Sequence, residues 1–341
     1  TLRELLAVPA VPEGTKLPER LGIRLSDLRT FLTCPLTGAA AVRLGLRSRP
    51  LEDLARVEDE ALATPALVTW SLTRDVALEV LRTGGGVADA HRQTVWRLQA
   101  EGAAPFGLYA QVEAQAQLQA AQGWVDALQG GCPETWRLGP ASQGRQGVDH
   151  PRPPLTVELP SLGRAVELWG DLRPQLGGSL FLEDGKDSPD KRPRLERKAL
   201  TAWIDHVVLT LIQPGHGEHR ARFIFARPSG GSQERVFVFP ILTREAAQAQ
   251  LGTWLEDLLT GDHAVLLPIE AVLEAEDPLA LTAEDIHQAV EASQGRGRTP
   301  VSTLLGPVPD PLSYPPPPDP AAIVERRLGA FLRAIRAEEC V

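Results

Sequence analysis

Cysteine, methionine, aromatic side chains and long apolar runs are all scarce in this chain of 341 residues. The three cysteines, Cys34, Cys132 and Cys340, lie too far apart for a disulfide framework, a C-x-x-C metal knuckle or an iron–sulfur cluster, so we expect reduced thiols. No window approaches the roughly 18 uninterrupted apolar residues of a membrane span, and the first residues lack the pattern of a secretory signal. We therefore expect a soluble cytoplasmic protein.

Positive charge is also in deficit, because 35 Lys and Arg residues stand against 44 Asp and Glu residues, for a formal net charge of -9. A free-standing, sequence-independent DNA binder draws its affinity from Lys and Arg on phosphates, so the charge balance argues against that class. Any DNA contact must come from a local patch or from the charge of a partner. The lack of methionine and the start at Thr1 indicate a fragment or a processed chain.

Apolar residues make up 43% of the chain, and they recur at helical spacing through its first part. Ser26 is a predicted helix N-cap, Pro35 interrupts that helix, and Gly84 ends a later one. We divide the chain into an irregular lead-in over 1–20 and a mainly helical part over 21–150, followed by a core over 151–270 and an extension over 271–341.

Near residue 154 the spacing of apolar residues changes from helical to every second residue. Apolar and polar residues alternate, as they do in strands, in "LTVELPSLGRAVELWGDL", "SLFLED", "HRARFIFAR" and "ERVFVFPIL". The amphipathic helix "ALTAWIDHVVLTLIQPG" falls between the strand pairs. This pattern predicts an α/β fold with a mixed sheet flanked by helices, whose core includes the alternating Phe223, Phe225, Phe237 and Phe239. The extension carries a polyproline strap, Pro315–Pro318, as a spacer or a docking motif, and a closing amphipathic helix.

Acidic and basic residues of the stretch from 167 to 186 suggest a metal site. Asp184 and Lys186 form a D-x-K pair, in which a carboxylate ligand and a charge stabiliser lie on the same side of a strand. Asp171, on the preceding strand, supplies a second carboxylate across the predicted hairpin. Mg²⁺-dependent DNA cleavage needs such oxygen ligands and a nearby cation. Because Asp-Gly is also a strong turn signal, Asp184 has an alternative place in a loop.

This D-x-K arrangement resembles the PD-(D/E)xK nuclease superfamily, and the chain from about 20 to 270 resembles one family in particular. The segments "IRLSDLRTFLTCPLTGAAAVRLGL", "EDEALATPALVTWSLTRDVALEVL", "AEGAAPFGLYAQVEAQ" and "LTAWIDHVVLTL" are similar, in this order, to segments of the C-terminal region of RecC, the gamma subunit of exodeoxyribonuclease V. The series carries the resemblance, since no single motif is specific.

The resemblance implies a nuclease-like PD-(D/E)xK core that has lost its active centre. Active relatives have a metal-ligating His after a helix glycine, and if Gly107 is that glycine, the His position falls on Gln111. They also have an Asp three residues after a glycine, and if Gly170 is that glycine, the Asp position falls on Arg173. If Asp171 is aligned with the metal-ligating Asp instead, its separation from Asp184 matches the spacing of the two carboxylates in active relatives. The resemblance also implies contact with the helicase-nuclease subunit RecB, the helicase RecD, and DNA ends or forks. No cofactor is expected, except Mg²⁺ if the predicted hairpin forms an active metal site.

Basic residues cluster just after the predicted hairpin and are the best candidates for phosphate contact. The alternative is that these residues form a loop and a helix start that only face solvent. The residues are Lys191, Arg192, Arg194, Arg197 and Lys198.

Histidines offer weaker signals. His206 follows Asp205 on an apolar helix and is predicted as a core or partner-facing residue rather than half of an acid–base pair. His216 and His219 are predicted to be exposed in a turn, where two histidines make a weak metal site.

Three functions remain open from the sequence. The first is a non-catalytic domain of a helicase-nuclease that repairs DNA double-strand breaks by recombination, and that holds partner subunits while it guides or splits DNA. The second is an active Mg²⁺-dependent exonuclease that uses Asp171, Asp184 and Lys186. The third is a protein-binding scaffold without DNA contact.

Overall fold

The computed structural model describes most of the chain. The described residues are 20–45, 62–128, 131–140, 149–177, 179–183, 192–213, 218–226, 232–260, 267, 269–286, 288 and 319–336. Asp184, Lys186, Lys191 and the strap Pro315–Pro318 lie outside these ranges.

The first part of the described chain is one short strand followed by five helices. These elements are β1 (Arg20–Arg24), α1 (Leu25–Thr33), α2 (Pro35–Arg43), α3 (Ala66–Thr83), α4 (Val87–Ala100) and α5 (Gly107–Ala127).

Strands dominate the middle of the chain, and long helices separate and follow them. The strands are β2 (Pro133–Glu134), β3 (Trp136–Leu138), β4 (His150–Arg152), β5 (Leu155–Leu159), β6 (Arg164–Asp171), β7 (Gln175–Leu176), β8 (Ser179–Glu183), β9 (His219–Ala226) and β10 (Ser232–Phe239). The helices are α6 (Arg192–Ile212), α7 (Arg244–Thr260), α8 (Ile269–Glu274) and α9 (Pro320–Arg336).

The strands form two mixed sheets rather than the one sheet that the sequence predicted. In the first sheet, β6 pairs parallel with β1 and antiparallel with both β3 and β5, while β4 pairs parallel with β3. The second sheet has the order β10-β9-β8-β7-β2, with β8 and β9 parallel and the other pairs antiparallel. The predicted mixed pairing, with a helix between the strand pairs, is confirmed.

Helix α6 lies at the centre of the main hydrophobic core. Its side chains at Leu200, Trp203 and Val207 are fully or almost fully buried. The same core includes Phe223 and Phe239, which confirms that these phenylalanines pack inside the protein. Its residues come from both sheets and from α1, α6, α7 and α9, so one continuous core joins these elements.

Helix α1 is amphipathic and ends where proline begins the next helix. Leu25, Leu28, Phe31 and Leu32 are buried on one face at three- and four-residue spacing. The predicted N-cap at Ser26 is wrong, since Arg24 is the N-cap residue and provides no side-chain cap hydrogen bond. The Ser26 backbone already lies in the first turn, because the helix begins two residues earlier than the capping pattern indicates.

Strand β1 links the start of the described chain to the core. It pairs with β6 in parallel register, with Ile23 opposite Leu168, and both side chains are buried. The sequence did not predict this strand, nor the short strands β2, β3 and β4 in the part expected to be mainly helical. The division of the chain at residue 150 stays a prediction, although β1 and β6 pair across it.

Helix α9 packs on the core as its apolar stripe predicts, and a buried ion pair holds it there. Arg327 Nε donates to Asp257 Oδ2 at 2.6 Å, and the Arg327 guanidinium lies 4.9 Å from the Phe31 ring centroid. Burial lowers the pKa of Arg327, while Asp257 opposes that shift. Trp254 Nε1 donates to the Arg327 carbonyl at 2.8 Å. These contacts orient α9 against α1 and α7.

Close packing of α1 on α2 depends on Gly38. A Cβ atom at Gly38 would lie 2.6 Å from Phe31 Cβ and nearer still to the Phe31 backbone, whereas one at Gly252 would lie 4.0 Å from its nearest neighbour, Leu159 Cδ2. We expect Gly38→Ala to lower the free energy of unfolding by about 1–3 kcal/mol through overpacking. Gly252→Ala, the matched helical control, is expected to be neutral or to stabilise by up to about 1 kcal/mol. Urea unfolding measures both, and a Gly38→Ala variant as stable as the parent would contradict this packing.

Candidate functional site

Asp171 is the one residue of the predicted metal site that the structure describes, and it ends strand β6 beside an arginine. In the register of β3 on β6, Arg137 is directly opposite Asp171, and Leu138 is opposite Gly170. Gly170 has a φ of +130°, a conformation that L side chains rarely adopt. The ladder between β3 and β6 includes Asp171, so the two charged side chains meet across the strands.

Arg137 binds the Asp171 carboxylate through both of its oxygens. Arg137 Nε donates to Asp171 Oδ1, and Arg137 Nη2 donates to Oδ2 at 3.3 Å. The Arg137 side chain is only 6% exposed and that of Asp171 is 28% exposed, so water screens this pair less than a surface pair. Two-point pairing of this kind is the stronger form of the Arg–carboxylate interaction. The guanidinium therefore engages one lone pair on each oxygen and neutralises the charge that would attract a metal.

A second arginine, Arg29 of α1, connects Asp171 to a buried carboxylate on α6. Arg29 Nη2 donates to the Asp171 carbonyl at 3.0 Å and also to Asp205 Oδ1. The Asp205 side chain is fully buried, and the Arg173 backbone N–H donates to its Oδ2 at 3.3 Å. A carboxylate without solvent requires such partners, because desolvation of an unpaired charge is costly. The network therefore ties α1, α6 and the end of β6 together.

These residues line an open cleft of about 630 Å³ that is rich in arginine. Its lining residues are Arg24, Ser26, Arg29, Arg74, Arg137, Pro140, Trp169, Gly170, Asp171, Leu172, Arg173 and Pro174. We call it the arginine cleft. Of the described residues that line it, Asp171 is the single carboxylate.

The arginine cleft does not fit a divalent cation. A magnesium ion requires several oxygen ligands, whereas the described lining residues of the cleft offer one carboxylate and five guanidinium groups, which repel a cation. Among the described residues there is no group of three or more His, Cys, Asp or Glu side chains that could hold a metal. Where the sequence predicted a metal ligand, the structure therefore has a carboxylate that is neutralised by arginine.

The predicted hairpin between the strands of Asp171 and Asp184 is wrong. Strand β8, which ends at Glu183, pairs with β7 and β9 in the second sheet, whereas Asp171 ends β6 in the first sheet. At Gly170 and Asp171 the strand paired with β6 is β3, whereas β8 pairs in the second sheet. Asp184 and Lys186 themselves lie outside the described residues.

The predicted phosphate-binding residues fall at the start of α6. This helix begins at Arg192, and the side chains of Arg192 and Arg194 lie outside the described part, as does all of Lys191. Arg197 and Lys198 follow on the first turns and are half-buried. Their role in DNA contact stays a prediction.

The histidines do not form an acid–base pair. His206 is buried in the core beside Trp203, as predicted, and its Nδ1 lies 2.6 Å from His219 Nδ1. Asp205, the adjacent residue on α6, instead joins the arginine network. The predicted exposure of His219 is wrong, because its side chain at the start of β9 is 1% exposed and packs against α6. His216 lies outside the described residues.

Sequence reasoning missed the arginine network. Arg29, Arg137 and Asp205 come from α1, β3 and α6, and 176 positions separate Arg29 from Asp205. No local spacing joins such residues. Arg173, on which one register of the family pattern places the metal-ligating Asp, does line the arginine cleft. Gln111 is exposed on α5.

The two mixed sheets and their flanking helices define a mixed α/β protein. The described part of its candidate site is basic rather than acidic. A model of the RecC C-terminal domain family matches residues 21–273, so the chain belongs to this family. No curated protein matches the chain. Membership of the family suggests a role as a subunit of the RecBCD complex in DNA repair. Within the described ranges, no helix is long and apolar enough to cross a membrane.

The buried histidine pair makes stability depend on pH. Burial, together with the nearby His219, lowers the pKa of His206 from 6.5 to about 3, so between these two values the unfolded chain binds one more proton than the folded chain. This contribution to stability is complete above about pH 6.5 and is lost as the pH falls toward 3. The expected slope in that window is about 1.4 kcal/mol per pH unit.

Urea unfolding of the parent and of His206→Gln at pH 7.5, 6.5 and 5.5, chosen to span about two units around the ordinary His pKa, checks this expectation. The stability advantage of the parent over the variant should shrink as the solution becomes more acidic. Parallel profiles for the two proteins would contradict the lowered pKa of His206.

Proposed function

We propose that this domain is a non-catalytic part of a RecC-type subunit, which binds the partner subunits RecB and RecD and guides or splits DNA strands at ends or forks. The observation that carries the proposal is the pairing of Asp171 with Arg137. A residue that would bind metal in an active nuclease is held here by a guanidinium in the arginine cleft.

The energetics of this pair support the absence of catalysis. A metal ion at Asp171 would compete for the carboxylate with Arg137, whose side chain is 6% exposed. Breaking a buried ion pair by removing one partner costs about 3–5 kcal/mol, because the other charge stays desolvated. The incoming cation would also meet the charge of Arg29 and Arg173. Metal binding at Asp171 is therefore opposed both by the ion pair with Arg137 and by repulsion from the neighbouring arginines.

The local charge supports DNA handling despite the formal net charge of -9. Positive groups are concentrated in the arginine cleft and in the basic segment Lys191, Arg192, Arg194, Arg197 and Lys198. A patch of this kind attracts phosphates locally even when the whole chain is acidic.

Apolar side chains on the helical part support partner binding. Large apolar residues are exposed on α4, on α5 and just before α5, with exposed fractions of 47–75%. They are Trp96, Phe106, Leu108, Tyr109 and Val112. Clustered exposed apolar residues are typical of protein–protein contact surfaces, which fits a chain from a multi-subunit family.

Fluorescence anisotropy with forked DNA at low salt tests this function, and gel analysis of the same samples with Mg²⁺ tests cleavage. We expect salt-sensitive binding without cleavage. Replacing Arg192, Arg194 and Arg197 together with alanine should weaken binding, because three phosphate contacts are removed. The matched control replaces Arg92, Arg235 and Arg244, three exposed arginines elsewhere, and should bind as the parent does.

Two outcomes would overturn the proposal. Cleavage that disappears in Asp184→Ala or in Asp171→Ala would establish an active metal-dependent nuclease. An absence of salt-sensitive DNA binding by the parent would leave a protein-binding scaffold.

A further inference from the structure

We infer that the outer face of helix α5 is a docking site for one amphipathic helix of a partner subunit, whose contacting stripe is apolar and uncharged. The inference deepens the proposed function, on which it rests for the existence of partner subunits, by naming the surface and the chemistry of what it binds. Two adjacent rows of exposed side chains form this site, which we call the α5 face. The rows are Leu108, Val112 and Ala116, and Gln111, Gln115 and Gln119.

The first half of α5 stands clear of the core. None of residues 107–116 is buried, whereas Gln117, Ala121 and Trp124 in the second half are. Leu108 is 73% exposed and Val112, one turn later, is 75% exposed. Aliphatic side chains that face water at successive turns are costly, and burial against a partner removes that cost.

The exposed surface of α5 carries no charge over most of its length. Its exposed positions from 107 to 122 are occupied by Gly, Leu, Tyr, Gln, Val and Ala alone. Glu113 is half-buried, and its carboxylate accepts hydrogen bonds from the Thr64 backbone N–H at 3.0 Å and from Gln117 Nε2 at 3.2 Å. A helix face that remains in water is normally polar and charged, whereas depletion of charge is typical of the centre of a protein interface.

The absence of charge on these exposed positions determines the chemistry of the occupant. A Lys or Asp side chain of a partner placed on the α5 face would lose water and gain no opposite charge from that face. Apolar side chains of a partner would instead contact Leu108 and Val112, and uncharged polar ones could bond to the glutamine amides. The complementary surface is therefore apolar with uncharged polar neighbours.

The spacing of the two rows favours a helix as the occupant. Side chains four residues apart form ridges on a helix surface, and neighbouring helices pack ridges into grooves. The aliphatic row and the glutamine row are adjacent ridges of this kind, so a groove runs between them along α5. A partner helix with its own ridge in this groove would cross α5 at about −50°. Ala116 allows the closest approach, since its side chain is the smallest in either row.

The size of the α5 face favours a single helix over a second copy of the chain. The helix rises about 17 Å from Leu108 to Gln119 and is about 10 Å wide, which matches the footprint of one crossing helix. This footprint is smaller than the roughly 800 Å² that each protein buries in a stable pair of free partners. The α5 face therefore fits one helix of a subunit that other contacts also hold, as in a multi-subunit assembly.

Buried and half-buried polar contacts fix α5 before any partner binds. His91 Nε2 of α4 lies 2.8 Å from Gln117 Oε1, and Thr64 Oγ1 donates to Glu113 Oε2 at 2.6 Å. These contacts connect α5 to α4 and to the segment before α3. A surface that is already ordered loses little conformational entropy on binding, which favours affinity.

Isothermal titration of the full chain with purified RecB and with purified RecD tests the inference. The α5 variant carries Leu108→Gln and Val112→Gln, and the matched control carries Leu44→Gln and Ile241→Gln, two exposed aliphatic residues elsewhere. We expect the α5 variant to bind one of the two subunits at least about tenfold more weakly than the parent, and the control to bind as the parent does. The ratio should be the same at low and high salt, because the lost contact is apolar.

An aliphatic version, Leu108→Val with Val112→Leu, guards against loss of structure. It keeps the apolar row and should retain most of the affinity. Urea unfolding of every variant should give the midpoint of the parent, since the substituted side chains are exposed. Binding of forked DNA by the α5 variant should equal that of the parent.

Photocrosslinking identifies the occupant. With p-benzoylphenylalanine in place of Val112, we expect crosslinks to one segment of RecB or RecD that has apolar residues at three- and four-residue spacing and no charge on that stripe. Crosslinks to an extended or charged segment would show that the occupant is wrong.

The outcomes separate the α5 face from the proposed function as a whole. If the parent and the α5 variant bind RecB and RecD with equal affinities, the α5 face is not the docking site and partner binding stands through other residues. If the parent binds neither subunit, both the docking site and the partner-binding function fail. If the parent alone forms dimers in sedimentation equilibrium and the α5 variant does not, the face belongs to a second copy and the inference is overturned.

Discussion

The ion pair between Arg137 and Asp171 is the interaction on which the site depends. It forms because β3 pairs with the last residues of β6, which places the two side chains opposite each other. The same aspartate accepts a hydrogen bond on its carbonyl from Arg29, which also binds the buried Asp205 of α6. A strand end, a sheet partner and two helices are thereby coupled through charges that are largely shielded from water, so removal of one partner leaves the others uncompensated.

This constraint determines what chemistry the cleft can perform. A carboxylate that is available to a cation would make the position a metal site, whereas one bound by arginine contributes a structural anion to a basic cleft. We propose that a domain in the RecC C-terminal domain family uses such a surface to hold nucleic acid rather than to cut it, and the apolar residues around Trp96 offer a separate surface for partners.

The sequence predicted the regular elements well where periodicity was long. Helix α3 ends at Gly84 and α9 buries its apolar stripe, because both patterns extend over many residues. It failed for β1 and β3, which lie in the part expected to be mainly helical and whose partner, β6, is distant in the sequence. The arginine network could not be predicted for the same reason. Its members are brought together by the pairing of β3 with β6 and by the packing of α1 and α6, and a D-x-K spacing gives no information on which strand pairs with the end of β6.

The most direct test is a crystal structure of the protein grown or soaked with Mn²⁺, with anomalous differences recorded around Asp171. Our account predicts no manganese at Asp171, and it predicts the Arg137 guanidinium within hydrogen-bond distance of both carboxylate oxygens. A manganese ion coordinated by Asp171, with Arg137 displaced from the carboxylate, would contradict the claim that this domain is non-catalytic at that position.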